Sequence, residues 1–182
     1  MKDLREERLS SKSVFSGLLL DVYRDVVRLP DGSEGVRERI VHPGASAVVP
    51  VLPDGRVILV RQFRYALDRE FLEVPAGKLD GPEDRPERAA LRELAEETGW
   101  TCDELVPLGA FHPAIGFSNE CIYFFLARSL REGIATPDHD EFLDVVYLPL
   151  RDALQRVTDG AITDMKTALA LRLAADSLAG TS

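Results

Sequence analysis

Two continuous apolar runs, SAVVPVLP (46–53) and RVILVRQFR (56–64), meet at Pro53-Asp54-Gly55. Runs without a polar face must be covered on both sides, so they read as central strands with other structure packed above and below. The Pro-Asp-Gly triplet is a turn signal and predicts a hairpin between them. The first 45 residues read as extended chain, with an earlier hairpin in which LLLDVYRDVVRLP and VRERIVHP flank Pro30-Asp31-Gly32. Next, REFLEVPAG reads as a short strand ending at Pro75, GKLDGPEDRP as a polar loop, and ERAALRELAEETG as a helix closed by Gly99. Further strands are expected at ELVPLGAF, ECIYFFLAR and FLDVVYLPL, and helices at RDALQRVTDG, stopped by Gly160, and MKTALALRLAADSL. The order predicts an α/β (α+β) protein with helices against a mixed sheet.

Composition narrows the function classes. At 182 residues and 45% hydrophobic, the chain suits one domain with a small appended element. A formal charge of -9 would repel a phosphate backbone, so nucleic acid is not expected as a partner. No apolar run approaches the roughly 18 to 20 residues that cross a bilayer, and MKDLREERLSSK lacks a signal-like apolar stretch. A soluble, cytoplasmic protein without a membrane partner is expected. Cys102 and Cys121 are too few and too far apart for a disulfide scaffold or a zinc site, and read as reduced, partly buried thiols.

The helix at 87–99 carries the chemistry. On a wheel, Ala90, Leu91, Leu94 and Ala95 fall within an arc of about 140° that reads as core. Glu93, Glu96 and Glu97 fall within about 100° on the other side. Like charges at these spacings oppose helix formation, and only Arg92 reaches back to Glu96 as a compensating neighbour. A cation is therefore expected there. Oxygen ligands without His or Cys favour Mg2+ or Mn2+, which keep part of their shell for water and phosphate oxygens. A solvated acidic face is the competing reading, and the flanking residues decide against it.

Gly77, Glu83 and the stretch Arg92-Glu93-Leu94-Ala95-Glu96-Glu97-Thr98-Gly99-Trp100 resemble the Nudix box, GX5EX7REUXEEXGU, where U is bulky and apolar. The second half matches at every specified position. In the first half, one extra residue before Arg92 leaves Glu83 and Asp84 both as candidates for the box glutamate. The resemblance implies a Nudix fold, an α/β/α sandwich around a mixed β-sheet, with a small N-terminal antiparallel sheet. It also implies divalent metal held by the carbonyl near Ala76 and by Glu93, Glu96 and Glu97, with Arg92 steadying those carboxylates.

From about residue 13 to residue 172 the chain is similar to the ADP-ribose pyrophosphatase subgroup, through HPGAS, VRQFRYA, FLEVPAGKLD, GFSNE, DHDEFLDVVYLPL and DGAITDMKTALAL in that order. That likeness implies hydrolysis of ADP-ribose to AMP and ribose 5-phosphate, with Arg64 and Glu73 lining the substrate cleft. The bland alternatives are a surface ion pair of Arg64 with Asp68 or Glu70, and a sheet-edge charge for Glu73. Relatives carry Ser-Pro-Gly before Phe-Ser-x-Glu, whereas here Ile115 stands in the proline's place. The departure keeps open another Nudix substrate: GDP-mannose, UDP-glucose, a dinucleoside polyphosphate or coenzyme A. Gly116 allows close backbone approach to a ligand, and Glu120 suits a ribose hydroxyl or metal support. Asp138-His139-Asp140-Glu141 matches an acidic loop of the subgroup, in which Glu141 supplies the general base. His112 reads as a hydrogen-bonded strand histidine. The subgroup also implies a homodimer, in which residues 1–43 form a crossing arm on a catalytic domain of residues 44–182. Phe15 or Tyr23 would then stack on adenine.

Overall fold

The computed structural model describes residues 3–81, 83–136 and 142–180. Its first element is an antiparallel sheet of β1 (Glu7–Ser16), β2 (Asp21–Arg28) and β3 (Glu34–Val41), in the order β1-β2-β3. The expected hairpin is β2–β3, in register from Asp21↔Val41 to Arg28↔Glu34. Its turn is closed by Leu29 N–H to Ser33 O at 2.8 Å. The regular strand β1 carried no alternation signal in ERLSSKSVFS, because all ten of its residues are exposed.

The second expected hairpin needs correction. β4 (Ala45–Pro50) and β5 (Arg56–Arg64) share the predicted turn but only one bridge, Val51↔Val57, and then separate into different sheets. β4 lies between β7 (Ala76–Lys78) and β9 (Ile122–Glu132), and β8 (Trp100–Phe111) completes that four-stranded sheet beyond β9. β5 lies between β6 (Arg69–Glu73) and β10 (Leu143–Pro149). Both are central strands, as their apolar runs require, but neither satisfies its backbone by forming a ladder with the other. The β4–β9 pairing is parallel and the other ladders of that sheet are antiparallel, so the sheet is mixed.

Helices cover both faces of the four-stranded sheet. Alternation along β4 and β9 sends Ala47, Val49, Phe124 and Leu126 towards α3 (Met165–Ala179), where Ala170, Leu171 and Ala174 meet them. It sends Val48, Phe125 and Ala127 the other way, onto Ala90 and Leu94 of α1 (Pro86–Thr98). α2 (Leu150–Thr158) packs its buried Ala153 into the α3-side core. The result is the α/β/α arrangement. Leu94 is fully buried, so Leu94→Ala would cost about 2 to 5 kcal/mol through lost burial and the cavity left behind. α1 starts with Pro86, whose missing N–H costs nothing there, and stops at Gly99 with φ 77°. A side chain at Gly99 would also come within 2.6 Å of the Ala135 nitrogen.

The face of α1 differs from the helical-wheel expectation. Its buried residues include Ala90, Glu93, Leu94 and Glu97, while Leu91 is exposed. Two of the carboxylates thus lie on the packed face, against β7: Glu97 accepts a backbone N–H there, and Glu93 packs on the bare backbone of Gly77 while accepting from Arg92. Among the described residues, no helix is long and apolar enough to cross a membrane.

Candidate active site

A cavity of about 460 Å3 opens where β4, β7, β9 and α1 converge. Its lining includes Ala76, Arg64, Arg92, Glu93, Glu96 and Glu120 from the residues expected at the site. Gly116, Glu73 and Glu97 are not on this lining. Gly116 lies in the turn in which Phe117 and Ser118 N–H both bond Ala114 O, with open space around it.

Arg92 organises the acidic wall. Its Nη1 donates to Glu93 Oε1 at 2.7 Å and to Glu96 Oε2 at 3.2 Å, and its Nη2 donates to the Lys78 carbonyl at 3.0 Å. Burial works against this guanidinium, but Glu93, Asp80 and Glu96 outweigh it and hold its pKa above the ordinary value. Glu93 lies on the backbone of Gly77, so closely that a Cβ there would sit 2.0 Å from Glu93 Oε1. Glu97 is buried and accepts the Ala76 N–H at 3.1 Å. Among the described residues, no three His, Cys, Asp or Glu side chains converge as a ready metal cage. The donor types nevertheless fit a hard divalent cation, since this wall presents oxygens and the absent Cβ of Gly77 keeps the Glu93 carboxylate seated on bare backbone.

For the two candidates in the first half of the box, Asp84 accepts the Asp80 N–H at 3.1 Å and so closes the loop, while Glu83 is exposed. Glu141, with Asp138, His139 and Asp140, lies outside the described residues.

Arg64 pairs with neither Asp68 nor Glu70. It forks onto Glu73, Nε to Oε1 at 2.6 Å and Nη2 to Oε2 at 2.8 Å. Glu73 is buried and also accepts from Lys166, which the sequence reading did not single out. Burial pushes the Glu73 carboxyl up, but Arg64 and Lys166 outweigh that and hold its pKa below the ordinary carboxylate value. One signal could have flagged Lys166: a cation in the first turn of α3 opposes the helix dipole, and so needs a reason to be there.

The rim joins two distant segments. Asn119 Oδ1 accepts the His42 N–H at 2.8 Å, and Asn119 Nδ2 donates to His42 O at 3.1 Å. The His42 ring accepts the Gly44 N–H on Nδ1 and lies 3.9 Å from Glu120. His112 is hydrogen-bonded as expected, to the Glu120 carbonyl at 2.7 Å, but it lies one residue beyond the end of β8 rather than in a strand. Leu19, from the loop between β1 and β2, also reaches this cavity. Phe15 is exposed on β1, and Tyr23 lies under Arg39 with the guanidinium 4.7 Å from its ring centre. Both cysteines are free and half-buried, and burial raises the Cys102 thiol pKa.

Comparison with known proteins agrees with this geometry. A family model described as the NUDIX domain matches residues 41–168, and one described as the nucleoside diphosphate sugar hydrolase N-terminal domain matches residues 6–40. The chain is 43% identical to the ADP-ribose pyrophosphatase of Bacillus subtilis (strain 168), with 94% of each sequence covered. It is 38% identical to the methanol dehydrogenase activator of Bacillus methanolicus, covering 94% of this chain and 93% of that one. A crystal structure titled as an ADP compounds hydrolase superposes with a TM-score of 0.87 at 25% identity, over 100% of this chain and 99% of the other. With a carboxylate-bearing helix packed on a mixed sheet at the mouth of a charged cavity, and a family match spanning that whole region, the chain belongs to the Nudix family of pyrophosphate hydrolases.

Proposed function

We propose that this enzyme hydrolyses the pyrophosphate of ADP-ribose to AMP and ribose 5-phosphate, with Mg2+ or Mn2+ as cofactor. One observation carries the reading: a single cavity of about 460 Å3 gathers Arg64, Arg92 and Lys166 with Glu93, Glu96 and Glu120. That volume is within the range for nucleotide-sized ligands. The likeness to an ADP-ribose pyrophosphatase over 94% of the chain supports the choice of substrate.

The cations matter because the protein carries a net charge of -9 and must still admit an anion. Arg64 offers a guanidinium edge to pyrophosphate oxygens. Glu93, Glu96, Glu97 and the Ala76 carbonyl would hold the metal, and Arg92 fixes the carboxylates by bonding Glu93 and Glu96 together. When bound, the divalent cation neutralises charge on the leaving phosphate and acidifies the attacking water. Glu141 accepts that water's proton, and Glu120 bonds a ribose hydroxyl. Residues 1–43 act as a dimerisation arm on the 44–182 catalytic domain, and Phe15 or Tyr23 stacks on the adenine.

A substrate panel with and without EDTA tests the proposal. ADP-ribose should give the highest kcat/KM, above GDP-mannose, UDP-glucose, a dinucleoside polyphosphate and coenzyme A. A higher value for any of these would overturn the substrate, and undiminished turnover in EDTA would overturn the cofactor.

A further inference from the structure

Glu73 is a buried charge beside the cavity. Its side chain is 3% exposed, and two cations press on it: Arg64 through Nε and Nη2, and Lys166 through Nζ. Lys166 itself is 17% exposed and also donates to Asp164 Oδ2 at 2.8 Å. Asp164 caps α3, accepting from Thr167 N–H at 3.0 Å and from Thr167 Oγ1 at 2.6 Å. Thr167 Oγ1 in turn accepts the N–H of Val74, the residue after Glu73, at 3.0 Å. The end of β6 is therefore tied twice to the start of α3, across 93 residues of sequence.

One cation would suffice to balance Glu73, so the second needs an explanation. Arg64 uses its Nε and Nη2 side on Glu73, which leaves the Nη1 edge turned away, and Arg64 lines the cavity. Once an anionic ligand shares that guanidinium, its hold on Glu73 weakens, and a buried carboxylate left without compensation is costly. Lys166, held also by Asp164 Oδ2 at 2.8 Å, is the second cation on that carboxylate.

We propose that Lys166 is a positioning residue, which keeps the buried Glu73 carboxylate compensated so that Arg64 can present its outer N–H groups to the substrate's phosphate oxygens. The proposal rests on the reading of Arg64 as a substrate ligand given above. Lys166 also lines the cavity, but its ammonium bonds Glu73 and Asp164, so its assigned action is through Glu73 rather than on the reacting atoms. Its position in the first turn of α3, against the helix dipole, follows from that duty.

The test is steady-state kinetics of the full chain with ADP-ribose and Mg2+, with circular dichroism melts to confirm folding. Lys166→Met should raise KM about tenfold and leave kcat within about twofold, because it removes binding rather than chemistry. Lys166→Arg should restore KM. Lys166→Gln should give an intermediate KM, and replaces Lys166→Met should that variant not fold. In a Glu73→Gln background, loss of Lys166 should add nothing, since the charge it balances has gone. If the double variant instead shows the full additional rise, Lys166 contacts substrate directly and the proposal is wrong. An unchanged KM in Lys166→Met overturns it too, provided Arg64→Ala raises KM. An unchanged KM in Arg64→Ala would overturn the placement of substrate itself.

Discussion

The Glu93 carboxylate rests on the backbone of Gly77, with no room for even a methyl group between them: a Cβ on residue 77 would lie 2.0 Å from Glu93 Oε1. The first glycine of the box is thereby explained by contact rather than by backbone flexibility. Gly77→Ala should displace Glu93 from Arg92. The group that must move is the end of a side chain, so the melting temperature should change little while activity falls at least about tenfold. Normal activity in Gly77→Ala would show that the seat of Glu93 is irrelevant to catalysis.

Glu97 is buried against the Ala76 N–H. Glu97→Gln keeps an acceptor for that bond and removes the charge, so it separates structure from metal binding. Turnover should drop by about 10 to 100-fold or more, with a near-normal melt and a raised Mg2+ requirement measured by metal titration.

Acid should weaken the fold through the β6–α3 tie. The pKa values of Glu73 and Asp164 lie below their ordinary values when folded: burial raises both, but the cations and hydrogen bonds around them outweigh it. A lowered folded pKa means stability that is complete above the unfolded pKa, about 4, and is lost as pH falls through the folded value. Urea midpoints should therefore be flat from pH 7 to about 5 and fall below that. Glu73→Gln should lower the plateau, because Arg64 and Lys166 then face each other without their carboxylate, and make the acid slope shallower. An equal slope in the variant would remove Glu73 from the account.

For the arm, deletion of residues 1 to 40 should convert a dimer into a monomer by light scattering. The deletion should raise KM for ADP-ribose and leave the Mg2+ dependence of kcat intact. A full-length chain already monomeric at micromolar concentration would refute the shared adenine pocket.

Glu141→Gln should lower kcat by about 10²- to 10⁴-fold with little change in substrate affinity, the pattern of an interaction made mainly in the transition state. Asp138→Asn and Asp140→Asn should lose far less. If Glu141→Gln retains more than about half the rate, the base is a box carboxylate such as Glu96.

Period and turn chemistry made most elements readable in advance. The apolar runs around Pro53-Asp54-Gly55 show that β4 and β5 are buried, but not that they part, since strand partners are set by edges contributed from residues 69–73, 76–78, 122–132 and 143–149. β1 falls within the stretch that reads as extended chain, but its bounds are not legible because a strand exposed along its whole length needs no alternation. The wheel placed Glu93 and Glu97 on a polar side because it weighs side-chain hydropathy alone, and the β7 backbone that makes a buried carboxylate acceptable lies in another element. Lys166 was missed for the same reason: its meaning lies in Glu73, far away in sequence. The pairing of His42 with Asn119 shows what links HPGAS to GFSNE, two segments that sequence order alone leaves unconnected.

The parallel ladder between β4 and β9 also governs the order of assembly. Residues 45–50 pair with residues 122–127. During synthesis, β4 can find its β7 partner early, but its other edge must wait until most of the chain has emerged from the ribosome. Over that interval the growing polypeptide carries Val48 and Val49 beside an unpaired row of peptide groups, the kind of surface that nucleates aggregation. Temperature during expression should therefore influence soluble yield more strongly than the finished protein's melting point suggests, because the vulnerable species is the half-made one.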